Sequence, residues 1–476
     1  MDNLNVKQVM SQIANVDRKA IQTKLQEELT DSPYKMVVLD DDPTGIQTVH
    51  GVSVYTDWEK SSIQAGFRED NRIFFILTNS RGFTESETKT CHEEIAERVQ
   101  AVSVEEGIPY VIISRGDSTL RGHYPLETET LKQTIEAHSN SRFDGEVIMP
   151  FFKEGGRLTI NNVHYVQDGE RLIPAGETEF AKDRTFGFNA SHLGEWIEEK
   201  TAGKYTKEHT IYISLDDLRN QRVDHIKKQL LEADDFQKVV VNAVGYEDVE
   251  VFSTAFMQAV KEGKHFICRS AAALTKVLGG VSDKGLLTRD ELVTKNSQNG
   301  GLIAVGSHVK KTTEQLNHLL ESGLVKGIEF DVHLVQDAEK FKRETDRVRL
   351  ACEEAIKNGE SVVYYTRRER LDLGDDMQEE ELKQSIKISD AVTSIVRDLQ
   401  VQPSYIVAKG GITSSSIGTI GLSVKRAEVA GQIKPGIPVW KTGQESKFPG
   451  AAYVIFPGNV GQPETLKEAV EVLEGK

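Results

Sequence analysis

Lys35-Met36-Val37-Val38-Leu39-Asp40-Asp41-Asp42-Pro43-Thr44-Gly45 decides the fold class. The apolar run Met36–Leu39 ends abruptly at adjacent carboxylates and a Pro/Gly turn. Such a bare run, closed by turn residues and followed by a helix-like stretch, predicts a strand buried on both faces. The same unit recurs along the chain. Apolar runs stand at Ile73–Leu77, Tyr110–Ile113, Val147–Met149, Ile211–Leu215 and Val239–Val241, then at Leu302–Val305, Val362–Tyr365, Tyr405–Ala408 and Tyr453–Phe456. Short strands alternating with helices predict an α/β fold with largely parallel sheets.

Upstream of Lys35 the pattern is helical. Val6, Val9, Met10 and Ile13 recur at helical spacing and Pro33 comes only at the end, so residues 1–34 read as an N-terminal helical extension. The stretch Thr294–Gly301 is polar, turn-rich and followed by a fresh strand. It divides the remainder into α/β domains at 35–297 and 298–476. The acidic stretch Asp372–Glu381 reads as a solvated loop.

Composition removes several function classes. The 476 residues are enough for two or three domains, and 38% hydrophobic against 28% charged residues supplies real cores. A formal charge of −16 repels nucleic acid and anionic membranes over most of the surface. Any anionic ligand must therefore meet a local cluster of cations or backbone N–H groups. Cys91, Cys268 and Cys352 lie far apart, which fits a reducing cytoplasm and gives neither a disulfide framework nor a thiolate metal site. No signal-peptide pattern opens the sequence, and no apolar run approaches the ~18 residues of a membrane span. The sequence leaves room for a homo-oligomer.

In open α/β sheets ligands bind beyond the carboxyl ends of the strands, so the loops there carry the chemistry. Asp40-Asp41-Asp42 repel one another unless a cation, a substrate hydroxyl or a helix N-terminus meets them. Thr78-Asn79-Ser80-Arg81-Gly82 follows the second run, and Ser114-Arg115-Gly116-Asp117-Ser118-Thr119-Leu120-Arg121-Gly122 the third. The guanidinium forks of Arg81, Arg115 and Arg121 suit a carboxylate. Asn79, Asp117, Ser118 and Thr119 suit sugar hydroxyls. Further on, Gly306-Ser307-His308, Lys409-Gly410-Gly411-Ile412-Thr413-Ser414 and Pro457-Gly458-Asn459-Val460-Gly461 each follow a strand. Glycines let backbone N–H groups approach phosphates, and Lys409 is a nearby cation. Neither a G-x-x-x-x-G-K-[ST] loop nor a G-x-G-x-x-G after a strand occurs, nor the kinase H-R-D and D-F-G pair, a G-x-S-x-G elbow or an H-E-x-x-H.

Taken in order, these loops resemble the four-carbon acid sugar kinase family from about Lys35 onward. The likeness rests on Asp41-Asp42-Pro43-Thr44-Gly45, Asp117 to Gly122, Gly156-Arg157, Glu177 to Asp183, Gly306-Ser307, Gly410 to Ser414 and Gly458 to Gly461. Ile412 departs from the glutamate that many members carry, and Ile46-Gln47-Thr48 departs from their usual continuation. The resemblance implies a substrate-binding N-terminal domain, a nucleotide-binding C-terminal domain and an active site in a cleft between them. It implies transfer of phosphate from ATP, with magnesium (Mg2+), to the terminal hydroxyl of a small sugar acid such as threonate, erythronate or a 3-oxo-tetronate. Asp42, Arg81 and the Asp117–Arg121 loop then fall on the acid's side, and Ser307, Gly410, Gly411, Ile412, Thr413 and Gly458 on the ATP side. Asp42 or Asp41 is the expected base, and Lys409 the expected phosphate cation. An NAD-dependent sugar-acid dehydrogenase and a non-catalytic sensor are the competing readings. The missing dinucleotide fingerprint weighs against the first, and the intact acidic and glycine loops against the second. The excess acid is expected to lie away from a basic site built by Arg81, Arg115, Arg121 and Lys409.

Overall fold

The apolar runs form strands, and their carboxyl ends carry the loops of interest. The computed structural model describes residues 4–293, 298–369, 378–458 and 460–476. It divides into two compact units, Met1–Asp283 and Lys284–Lys476. Residues 294–297 of the expected boundary and 372–377 of the acidic stretch lie outside the described residues, as does Asn459.

The first unit holds β1 (Leu4–Asn5), β2 (Lys35–Asp40), β3 (Ser53–Tyr55), β4 (Ile73–Leu77), β5 (Tyr110–Arg115) and β6 (Gly145–Met149). After these come β7 (Arg157–Ile160), β8 (Val163–Asp168), β9 (Arg171–Pro174), β10 (Ile211–Ile213), β11 (Gln237–Val241) and β12 (Phe266–Ser270). Its main sheet runs β10-β11-β6-β12-β5-β2-β4-β3, parallel throughout. β2, β4, β6 and β12 are buried along their whole length, as strands between helical layers must be. On one face the helices Lys60–Arg68 and Glu85–Glu106 press Ile63, Phe67, Ile95 and Val99 onto Val37, Phe74, Ile76 and Ile112. Each such side chain contributes ~1.5–3 kcal/mol when removed from water. The long helix starts at a capping box between Thr84 and Glu87 and ends at Gly107 in the left-handed conformation.

The N-terminal segment is not one helix. Leu4–Asn5 pairs with β9, and the helices Val6–Ser11 and Arg18–Thr30 follow. The reason is local. Asn5 and Asp17 each accept from backbone N–H groups ahead of them, so the helix starts twice. The second helix buries Ile21, Leu25 and Leu29. With β1, β7–β9 form a small antiparallel sheet ordered β1-β9-β8-β7, inserted after β6.

The second unit contains β13 (Leu302–Val305), β14 (Lys326–Phe330), β15 (Val362–Thr366), β16 (Ile406–Lys409), β17 (Arg426–Lys434), β18 (Ile437–Thr442) and β19 (Ala452–Phe456). Its order is β17-β18-β19-β16-β13-β15-β14. The members from β19 to β14 are parallel, and β17 and β18 form an antiparallel flank. Helices Lys310–Glu321 and Thr465–Glu474 cover one face with Leu316, Leu319, Leu466, Val470 and Leu473. Among the described residues, no helix is long and apolar enough to cross a membrane.

The two sheets share a topological device. In each, the first main strand (β2 or β13) sends the chain out to one side, back to its neighbour (β4 or β15), and then to its other side (β5 or β16). The chain direction therefore reverses at β2 and at β13, the positions beyond whose carboxyl ends open α/β sheets bind ligands.

Candidate functional site

At the carboxyl end of β2 the three aspartates have separate surroundings. Asp40 is buried, with Oδ1 3.0 Å from Arg115 Nη1 and Oδ2 lacking a hydrogen-bond partner. Burial raises its pKa to about 7, the positive Arg115 only partly offsetting it. Gly45 is required above it, since a Cβ there would stand 2.1 Å from both Asp40 oxygens. Asp41 is also buried and takes a two-point grip from Arg81, Nη2 to Oδ1 at 2.6 Å and Nε to Oδ2 at 3.1 Å. Asp42 is only half-buried. The Thr44 amide and hydroxyl donate to its Oδ1 at 2.7 and 2.5 Å, and Arg81 Nη1 lies 3.2 Å from Oδ2. Burial pushes Asp42 up, but Arg81 and Thr44 outweigh it and hold the carboxyl below its ordinary range.

The β5 loop builds the next wall. Arg121 Nε donates to Asp117 Oδ2 at 2.7 Å, and the Thr119 hydroxyl donates to the same oxygen. Burial raises the Asp117 pKa, yet Arg81 and Arg121 hold it far below the usual carboxylate range. Thr119 and Ser118 are buried, and Ser118 accepts from His164 Nε2 at 2.8 Å through its carbonyl. Asn79 turns the chain with φ 55 and is half-buried at the same edge.

Arg81, Arg115 and Arg121 thus converge at one sheet edge, together with Asp41, Asp42 and Asp117. They do not form a basic patch, and that expectation is corrected. Each of these arginines is answered by the chain's own carboxylates, because three adjacent aspartates cannot be gathered there without them. Sequence reasoning also missed the layer beneath. Arg269 on β12 lies 3.1 Å from Glu127 Oε2, and Ser80 Oγ donates to Glu127 Oε1 at 3.0 Å. A Cβ on Gly116 would stand 1.9 Å from Arg269 Nη1, so the β5 loop rests directly on that guanidinium. The signal was a lone arginine inside the short apolar run Phe266–Ser270.

In the second unit the Gly306 and Gly410 loops meet around a cavity of about 320 Å³ beyond β13, β15 and β16, and Gly458 is not among its lining residues. Ser307, Gly410, Gly411, Ile412 and Thr413 line it, and Val332, Ile388 and Val392 form an apolar wall. The loops touch closely. A Cβ would stand 2.5 Å from Thr413 Oγ1 if placed on Gly306, and 3.6 Å from Ser307 Oγ if placed on Gly458. Gly410 has φ +118, and its missing Cβ leaves room for Ser307, which would lie 3.0 Å away. Arg368, which sequence reasoning also missed, pins the Ser307 loop, donating from Nη2 to the Ser307 carbonyl at 2.5 Å and to Thr313 Oγ1 at 2.8 Å.

Lys409 does not line this cavity. Its buried Nζ donates to the Pro457 carbonyl at 2.6 Å and lies 4.2 Å from the Phe456 ring centroid. It ties down the last glycine loop and offers no ammonium to a phosphate. Burial lowers its pKa to about 7. Between that value and the ordinary 10.5 the unfolded chain carries a proton that the folded one lacks, so Lys409 adds stability as pH rises through this window. The urea midpoint should therefore climb from pH 7.5 to 9.5, by up to about 1.4 kcal/mol per pH unit from this group. Lys409→Met should lose that slope, and an unchanged slope in the variant would show that Lys409 stays charged.

Among the described residues no group of three or more His, Cys, Asp or Glu side chains could hold a metal ion, the aspartates being engaged by arginines. The described residues therefore show no all-protein magnesium cage, and no step is routed through the ion. The cavity, with its close glycines, does fit a nucleotide.

A sugar-binding N-terminal domain model matches residues 36–278, and a nucleotide-binding C-terminal domain model matches residues 302–466. The chain belongs to the four-carbon acid sugar kinase family. The acid-sugar-kinase sugar-binding domain therefore spans the aspartate–arginine network, and the nucleotide-binding domain the glycine-lined cavity. Solved structures share the fold. Haemophilus influenzae protein HI1011, of the DUF1537 family, is 18% identical, covers 92% of this chain and 100% of its own, and superposes with a TM-score of 0.60. A Salmonella typhimurium LT2 protein described as a candidate tRNA synthase is 13% identical, covers 91% and 98%, and gives 0.64. No curated protein sequence matches the chain.

Proposed function

We propose that this protein transfers the γ-phosphoryl group of ATP to the terminal hydroxyl of a small sugar acid, such as threonate, erythronate or a 3-oxo-tetronate, in the cytoplasm. The observation that carries the reading is the half-buried, ionised Asp42 at the β2 switch point of a sugar-binding domain. The partner domain adds a glycine-lined cavity at the corresponding β13 switch point. Phosphoryl transfer asks chiefly for positioning and for neutralised charge.

ATP supplies the phosphoryl group when bound. Backbone N–H groups of Gly410–Thr413 and the Ser307 hydroxyl hold its phosphates, and Val332, Ile388 and Val392 give its base an apolar wall. Asp42 Oδ2 takes the proton of the acid's hydroxyl as that oxygen bonds to phosphorus and the bond to the ADP oxygen breaks. Asp41, buried and gripped at two points, instead fixes Arg81, and Arg81 holds the Asp42 carboxylate ionised. Arg121 and Thr119 keep Asp117 acceptor-only for sugar hydroxyls.

The experiment is ADP release with ATP and magnesium across a panel of four-carbon and related sugar acids. Acid-dependent ADP release with a stoichiometric phosphorylated product is the expected result. Nicotinamide reduction without ADP release, or acid binding without transfer, would overturn it.

A further inference from the structure

Four arginines around the β2 switch point are matched by carboxylates of the chain: Arg81 by Asp41 and Asp42, Arg115 by Asp40, Arg121 by Asp117, and Arg269 by Glu127. A fifth, Arg157, is not. Its Nη1 donates to the Gly155 carbonyl. Its Nε is buried with no hydrogen-bond partner, and among the described residues no Asp or Glu pairs with it. It belongs to the same group of side chains nonetheless. Its guanidinium carbon lies 5.8 Å from the Phe180 ring centroid, and that of Arg121 lies 5.1 Å from the same ring. Asp117 is near enough to act on it electrostatically.

The backbone that presents Arg157 is fixed. Arg157 and Phe152 exchange amide–carbonyl bonds of 2.9 and 3.0 Å, closing the turn Lys153–Gly155. Gly156 makes the reversal with φ +70, where a Cβ would stand 2.9 Å from Gln167 Cβ. A preorganised guanidinium fork, partly removed from water and short of an anion, is costly alone and suits a carboxylate that arrives with a ligand.

We propose that Arg157 reads the carboxylate of the sugar acid through its guanidinium, and that Arg81, Arg115 and Arg121 instead hold the chain's own aspartates. The inference rests on the sugar-acid reading of this unit and names which cation distinguishes an acid from the corresponding polyol. A neutral four-carbon polyol offers nothing to Arg157, so the residue is a specificity determinant.

The test is calorimetric titration of the full-length chain with threonate and with erythronate in the absence of nucleotide, using threitol as the carboxylate-free probe. At least one acid is expected to bind the unaltered chain, and threitol far more weakly. Arg157→Gln should weaken acid binding roughly 10–100-fold, the range of a lost charged hydrogen-bond pair, and leave threitol and ATP affinities unchanged. Arg157→Lys keeps the charge without the fork and should fall between. Melting midpoints of both variants check that they fold, and Arg157→Lys carries the test if Arg157→Gln does not. Unaltered acid affinity in a folded variant, an equal loss for threitol, or no binding of either acid by the unaltered chain would overturn the inference. Arg157-dependent acid binding without ADP release would uphold it and overturn the kinase reading, so the two failures are distinguishable.

Discussion

Asp42→Asn is expected to lower phosphoryl transfer by about 10²–10⁴-fold while nucleotide affinity stays unchanged. Three features single out Asp42 from its neighbours. Asp40 and Asp41 are buried, whereas Asp42 is half-exposed. Asp41 spends both oxygens on Arg81, whereas Asp42 meets Arg81 through one Nη at 3.2 Å, a single donor on Oδ2. Its pKa sits below the ordinary range, so it is an ionised acceptor at any physiological pH. The substitution is nearly isosteric, and the amide oxygen still accepts from Thr44, so the β2 loop should hold its shape. Steady-state turnover beside ATP titration checks both halves of the statement. Turnover within a few-fold of the unaltered chain would remove Asp42 from the chemistry and direct attention to Asp117.

Glu127→Ala should cost about 3–5 kcal/mol in stability, the range for removing one partner of a buried ion pair. Glu127 is 2% exposed and Arg269 7%. Without Glu127, Arg269 keeps, among the described residues, only long contacts of 3.4 Å to Ser114 Oγ and to the Arg121 carbonyl. Burial pushes Glu127 up, yet Arg269 and His92 hold it ionised in the folded state. The measurement is the urea midpoint of the unaltered chain, of Glu127→Ala, of Arg269→Met and of the double variant Glu127→Leu/Arg269→Met. The apolar pair should recover most of the loss, because the penalty lies in the orphaned charge rather than in the missing attraction. Activity should not return with it, since the Gly116–Arg121 loop is seated on the guanidinium. A loss below about 1 kcal/mol would mean that water reaches the pair.

The parallel architecture was legible because its strands are apolar along their length. Met36–Leu39 and Ile73–Leu77 became β2 and β4, buried at every position. β12 was missed because Arg269 interrupts its run, and a charged residue is tolerated in this buried strand through Glu127, 142 positions away in sequence on the helix Leu126–Ala137. No local pattern carries that pairing. The antiparallel flank β17–β18 was missed for a related reason, since β17 alternates exposed and buried residues over its first half. At the site, the residue types and their gathering were readable from loop positions, and their charge balance was not. Spacing shows that Arg81 follows β4, but only coordinates show that Asp41 takes its fork, and Lys409 looks like a phosphate cation until its Nζ is seen bonded to Pro457.

The position of β12 between β5 and β6 governs how the protein can be made. The ribosome delivers β5 and β6 long before Phe266–Ser270, the strand that lies between them in the folded sheet. Until it arrives, both strands present bare edges, which favours chaperone capture and misassembly over early closure. The same late strand brings Arg269, on which the Gly116–Arg121 loop sits. The Gly116–Arg121 loop of the sugar-binding domain therefore gains its seat only near the end of synthesis of the first unit.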